Sequence, residues 1–102
     1  MDPKLIKIVK EYIAELKRSR LHILRVYLYG SYAKKVNKTN SDIDVAVISD
    51  SFSDDWFENM KLLLKLRRKI DLRIEPIPFR PEDFNPSQPL YHQITREGIQ
   101  II

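Results

Sequence analysis

The sequence predicts a small α/β protein (α+β), with helices packed on a small mixed β-sheet. Two observations carry this. Apolar residues recur at helical spacing in two segments, and three runs of β-branched, aliphatic and aromatic residues alternate with them. A third sets the scale: 102 residues with 43% hydrophobic content make one domain, 1–102, with one modest core.

The order is helix, strand, short helix, strand, helix, strand, then an irregular tail. Asp2 is placed to cap a first helix, and Pro3 suits its first position, where a missing N–H costs nothing. Leu5, Ile8, Val9, Tyr12, Ile13 and Leu16 form its apolar stripe, with lysines largely on the other faces. Residues 23 to 29 read as a strand running into Gly30. Residues 31 to 36 start a short helix, 37 to 41 make a polar turn, and Ile43 to Ile48 form a second strand. Asp54, Asp55 and Glu58 place negative charge in the first turn of the next helix, where the dipole favours it. Trp56, Met60, Leu63, Leu64 and Arg67 share one face of it. Ile70 to Ile77 reads as a third strand. The five prolines from Pro76 to Pro89 exclude regular structure in a C-terminal extension, 76–102. Leu90 to Glu97 is a candidate short helix stopped by Gly98. The tail Ile99 to Ile102 either adds an edge strand or joins a homo-oligomer interface.

Composition removes several function classes. Without cysteine there is no disulfide framework and no zinc–thiolate site. The N-terminus lacks a signal-peptide pattern, and no apolar stretch approaches the roughly 20 residues that span a bilayer. A cytoplasmic protein with no membrane partner is therefore expected. The formal charge of +4 suits a nucleoside triphosphate or an acidic partner. It is too weak, with too few aromatic platforms, to signal nucleic-acid binding.

The chemistry sits in two short stretches. Asp42 and Asp44 are two apart in a strand and so point to one face. Two like charges side by side resist joint ionisation, and a cation between them relieves this. Mg²⁺ takes hard oxygen ligands and is commonly shared between carboxylates and substrate phosphates. Two such ions, roughly 3.5–4 Å apart, stabilise the attacking and leaving oxygens of an in-line displacement. A third carboxylate completes such a set. Asp71 is the first candidate, within the alternation Asp71, Arg73, Glu75, and Glu75 is the reserve. Gly30, one of only two glycines, lets a phosphate approach the backbone. The Ser31 hydroxyl and the amides after it suit a triphosphate tail, with Lys34 or Lys35 adding charge. Taken singly, each of these residues has a bland reading as a turn glycine, a solvated acid or a surface lysine. Their order and spacing together suit phosphoryl-transfer chemistry and set them apart from an accidental grouping.

Gly30-Ser31, ten residues, then Asp42-Ile43-Asp44 within the run from Ser41 to Val47, with Ala33 and a later acid at Asp71, resembles the DNA polymerase β-type nucleotidyltransferase superfamily. Within it, the chain is most similar to the minimal nucleotidyltransferase (MNT) group. The resemblance implies the nucleotidyltransferase fold, with helices on one side of the mixed sheet. It implies that Asp42, Asp44 and Asp71 carry two Mg²⁺ ions, and that Gly30 and Ser31 hold the triphosphate of an ATP donor, to which Lys34 adds its charge. It also implies a partner: a HEPN-domain protein encoded nearby, a toxin for which the MNT chain is the antitoxin and onto which it transfers AMP. Two departures are visible: the family's arginine is a lysine, and its glycine is missing. Ala33-Lys34-Lys35 stands where the family often has Ala-Arg-Gly, which keeps the charge but loses the two-pronged guanidinium. The competing reading is a catalytically vestigial antitoxin, a binding module that neutralises a HEPN-type ribonuclease by complex formation. His22 and His92 are isolated and read as structural or surface residues.

Overall fold

The first helix shows how closely apolar spacing controls this chain. Helix α1 (Pro3–Arg18) buries Leu5, Val9, Tyr12, Ile13 and Leu16, with Ile8 partly buried beside them. Its last turn carries Lys17 and Arg18, where positive charge meets the negative end of the dipole. Arg20 then takes a left-handed conformation, φ 70°, a place glycine usually fills. Its N–H donates to the Lys17 carbonyl at 3.0 Å, and the Leu21 N–H donates to the Leu16 carbonyl at 3.2 Å. These two bonds satisfy the helix's last carbonyls and send the chain into the sheet.

The structure is a computed structural model that describes residues 3–30 and 42–102. The capping role of Asp2, the short helix at 31–36 and the turn at 37–41 lie outside the described residues. After α1 come β1 (Ile23–Tyr29), β2 (Ile43–Ser49), α2 (Trp56–Arg67), β3 (Ile74–Phe79) and β4 (Ile99–Gln100). They form one mixed sheet in the order β3-β2-β1-β4. Strand β1 is antiparallel to β2 and β4, and β2 is parallel to β3. The strand option for the tail is the one observed.

Alternation in the strands divides the sheet into two faces. Val26, Leu28, Ile43, Val45, Val47 and Ile74 join the core beneath α1 and α2. Buried Tyr12 ties the two helices together, its hydroxyl donating to the Leu63 carbonyl at 2.7 Å. Tyr27, Ala46, Ile48 and Phe79 belong to a second cluster on the opposite face, covered by Phe84 and Ile94.

Helix α2 departs from expectation in its start and its rotation. Asp55 caps it from outside, accepting the Glu58 N–H at 3.2 Å, so the helix begins at Trp56 and excludes Asp54 and Asp55. Asn59, Leu63 and Leu66 face inward, whereas Trp56 is exposed. A polar residue holds the inward position because its amide serves the preceding loop. It accepts the Ser53 N–H at 3.0 Å and donates to the Ser53 carbonyl at 2.8 Å.

Strand β3 corrects two expectations. It begins at Ile74 rather than Ile70, and it contains Pro76 and Pro78. Before it, the Asp71 carboxylate accepts the Arg73 N–H at 2.9 Å, forming a local turn. The prolines are tolerated because β3 is an edge strand. The Arg73 carbonyl accepts from Ile43 N–H of β2, while Ile74 bonds on the outer side, to the Asp71 carbonyl and the Arg67 guanidinium. Pro76 and Pro78 share the parity of Ile74, so their missing N–H groups would have faced away from β2.

The remaining prolines do shape an irregular segment, from a 3₁₀ turn at Pro81–Asp83 to a π-helical turn at Gln93–Glu97. The latter occupies the end of the expected helix. The segment lays Phe84 against Tyr27, Phe79 and Tyr91, with ring centroids 5.8, 5.1 and 5.0 Å apart. It therefore covers one end of the second face and leaves the other end to the acids.

Candidate active site

Where β1 ends and β2 and β3 begin, the sheet register aligns three polar side chains. Asp44 lies opposite Tyr29 of β1 and opposite Glu75 of β3. Matched parity puts Asp44 and Glu75 on the face away from the helices. Asp42 stands two residues earlier, just ahead of β2, and is exposed. Gly30 follows Tyr29 with φ +77°, a conformation that side chains resist. A Cβ at Gly30 would collide with Asp44 Oδ2. The glycine is thus needed twice, for its backbone angle and for the space that the carboxylate fills.

The electrostatics agree with this crowding. Burial raises the Asp44 pKa above the usual carboxylate range, and the charges of Asp42 and Glu75 raise it further. The Tyr29 phenol is pushed up to about 12, first by burial and then by Asp44 and Glu75. The Arg67 guanidinium reaches over the sheet edge to Glu75, 3.4 Å from Oε1. Its Nη1 also donates to the Ile74 carbonyl at 2.8 Å.

The sequence-derived site residues divide into three groups. The charge of Asp42 helps raise the Asp44 pKa, and Gly30 packs on Asp44. Asp71 lies in the turn ahead of β3, not within the strand, and its carboxylate is held by Arg73. Arg73 Nη2 approaches Asp71 Oδ2 at 2.8 Å and Nε approaches Oδ1 at 3.1 Å. These bonds lower the Asp71 pKa despite partial burial. Ser31, Lys34 and Lys35 lie outside the described residues. Arg67 and Tyr29 add contacts at the site that motif reading did not assign. For Tyr29 the signal was its position immediately before Gly30; for Arg67 there was none, since its reach depends on the fold. Of the isolated histidines, His22 pairs with Asp50 at 2.9 Å and His92 lies edge-on to Tyr91.

The donor set can be weighed against Mg²⁺. Among the described residues no group of three or more His, Cys, Asp or Glu side chains is gathered tightly enough to hold a metal ion. The chemistry nonetheless fits a hard cation: all donors are carboxylate oxygens, and Asp44 carries a mutual repulsion that a divalent ion would relieve. Among the described residues no helix is long and apolar enough to cross a membrane.

The family described as Polymerase beta, Nucleotidyltransferase matches residues 9–102. A protein adenylyltransferase, MntA of Shewanella oneidensis, is 29% identical over 100 residues, covering 98% of this chain and 63% of the relative. The chain thus spans less than two thirds of that protein's length. A solved toxin–antitoxin structure with AMP-PNP is 25% identical, with a TM-score of 0.61 over 90% of this chain and 71% of the other. A protein of Sulfolobus solfataricus has a TM-score of 0.69 at 18% identity, over 95% of this chain and 78% of its own, a likeness of fold.

Proposed function

This chain belongs to the Polymerase beta, Nucleotidyltransferase family, and on that premise we propose that it transfers AMP from ATP to a hydroxyl of a partner protein. The acceptor oxygen forms a bond to the α-phosphorus, and the bond from that phosphorus to its bridging oxygen breaks. Pyrophosphate leaves, and the hydroxyl proton passes to a nearby base or to solvent. The observation that carries the reading is Asp44, set between Gly30 and Glu75 with Asp42 ahead of it.

Asp42 and Asp44 would hold Mg²⁺, with Glu75 as third carboxylate in preference to Asp71. The register supports Glu75, whereas both Asp71 oxygens are engaged by Arg73. Bound there, Mg²⁺ supplies charge neutralisation at the attacking and leaving oxygens. Gly30 lets the Asp44 carboxylate lie against the backbone, and Ser31 and Lys34 would contribute contacts to the triphosphate. The toxin–antitoxin neighbour and the adenylyltransferase relative support a toxin–antitoxin setting. In the proposal, carried further by the sequence resemblance alone, this chain is a cytoplasmic antitoxin and a HEPN-domain toxin encoded nearby is the acceptor.

Incubation of the neighbouring-gene product with this chain, ATP and Mg²⁺ should add the mass of one AMP unit. Asp42→Asn with Asp44→Asn should abolish the addition. Transfer that survives the double variant refutes the mechanism. A complex that forms and neutralises the toxin without transfer assigns the role to binding alone.

A further inference from the structure

The end of the molecule opposite the carboxylates carries an aromatic surface that the proposed chemistry does not use. Trp56 and Phe57 open α2 with 46% and 73% of their surfaces exposed. Their rings meet edge to face, centroids 5.5 Å apart. Among the described residues these are the only Phe, Tyr or Trp side chains that stand exposed. Trp56 also forms one wall of a groove whose lining mixes apolar Ile77, Pro78 and Phe79 with polar Asp83, Asn85 and Gln88. Burying Trp and Phe is a strong driving force for association, and a rigid pair loses little conformational freedom on binding.

Charge defines what fits. The chain as a whole carries +4, yet around Arg80 stand Asp83, Glu82 and Asp54, with Asp55 and Glu58 at the start of α2. The cations at this end are Arg80, Lys61 and Arg25, the last lying over the Phe84 ring. Arg80 pairs with Asp83 at 2.7 Å and Lys61 with Glu58 at 3.6 Å, so each pair cancels one acid and one base and the acidic excess comes from Asp54, Asp55 and Glu82. Acidic residues beside the exposed Trp56–Phe57 pair repel nucleic acid and anionic bilayers, and attract a cationic protein surface. Along β3, Glu75 and the Phe79 wall of the groove are four residues apart, about 13 Å. A protein seated here would leave the carboxylates open to a hydroxyl.

We propose that Trp56, Phe57 and the adjoining groove form a docking surface for an apolar segment of the acceptor protein flanked by Lys or Arg. This rests on the reading of a protein acceptor. The surface would raise the local concentration of the acceptor hydroxyl while leaving the transfer step unchanged.

Trp56 is the only tryptophan in the chain, so it reports on its own surface. Full-length protein carrying 5-fluorotryptophan should give one ¹⁹F resonance that shifts on titration with the neighbouring-gene product. Phe57→Ser, at an exposed position, should weaken the complex at least about tenfold. It should raise the KM for AMP transfer to that product without lowering kcat. Asp54→Lys should weaken the complex less, with the difference vanishing at high salt. A complex seen by sedimentation with the fluorine resonance unmoved overturns the docking proposal and leaves the acceptor reading intact. A resonance that shifts on concentrating the protein alone assigns the surface to a second copy and also overturns it. Absence of both complex and AMP transfer overturns the two readings together.

Discussion

The two faces of the sheet are built from the same strands under opposite demands. On the helix side, Val45 and Val47 of β2 are fully buried in aliphatic neighbours. On the other side, β2 offers Asp44, then Ala46 and Ile48, so one strand carries an acid at one end and a hydrophobic contact at the other. Hydrophobic burial is non-directional, so the helix face tolerates conservative exchange as long as volume is kept. The acid end depends on placement: Gly30, Asp44 and Glu75 owe their proximity to sheet register, and a one-residue slip would scatter them.

The sharpest way to test this division is to damage each face separately. Asp44→Asn should lower AMP transfer by roughly 10³-fold or more, as removal of a central catalytic group does. Its melting temperature in metal-free buffer should stay at or above that of the parent, because the change removes repulsion from Asp42 and Glu75. Leu28→Ala, under the helices, should do the reverse. It should cost about 2–5 kcal/mol of stability and leave activity per folded molecule near that of the parent. Denaturant unfolding beside a transfer assay separates the two outcomes. Equal loss of activity in both variants would mean that the faces are not independent.

This division also explains what the sequence could convey. Periodicity located α1, β1 and β2 nearly to the residue, because their apolar spacing answers to one core. It placed Gly30 and Asp42-Ile43-Asp44 at a strand end, because local pattern suffices there. It misplaced the start of β3, since Ile70, Leu72 and Ile74 alternate like a strand whether or not the chain turns. The turn comes from the Asp71 carboxylate bonding to Arg73, a side-chain event that alternation does not register. Pro76 and Pro78 read as breakers because their tolerance depends on which side of β3 has a neighbour. The rotation of α2 was missed for a similar reason: the amide of Asn59 serves Ser53, so a polar residue faces inward and Trp56 does not.

The choice of third carboxylate gives a smaller but more discriminating test. Glu75→Gln should reduce transfer by roughly 100-fold, comparable to losing one well-placed charge-stabilising group. Asp71→Asn should change it less than about fivefold, since a part-exposed ion pair with Arg73 contributes about 1 kcal/mol or less. Mg²⁺ titrations should show a weakened requirement only for Glu75→Gln. The opposite ranking would return Asp71 to the metal site and would require its bonds to Arg73 to open in the working enzyme.

The smallest expected effect uses pH, because Asp44 and Asp71 are perturbed in opposite directions. Burial, then Asp42 and Glu75, raise the Asp44 pKa, so the folded state holds this proton more firmly than the unfolded chain. Its contribution to stability is greatest below the unfolded value of about 3.9 and is lost as pH rises through the higher folded value. Arg73 lowers the Asp71 pKa, so that contribution is present above about 3.9 and is lost as pH falls through the lower folded value. In metal-free buffer at pH 7, Asp44→Asn should therefore raise the melting temperature and Asp71→Asn should lower it by a few degrees, consistent with about 4–8 °C per kcal/mol in a domain of this size. Both differences should close on acidification. The Asp44 advantage fades as pH drops through its raised folded pKa, and the Asp71 deficit persists until pH has passed below about 3.9. Added Mg²⁺ should cancel or invert the Asp44→Asn advantage at pH 7, because an ion that binds only the native parent stabilises it by mass action. It should leave the Asp71→Asn deficit in place. Circular-dichroism melts of the two variants and the parent from pH 3 to 7, with and without Mg²⁺, decide the matter. An Asp44→Asn advantage that Mg²⁺ does not touch would separate the crowded carboxylates from metal binding.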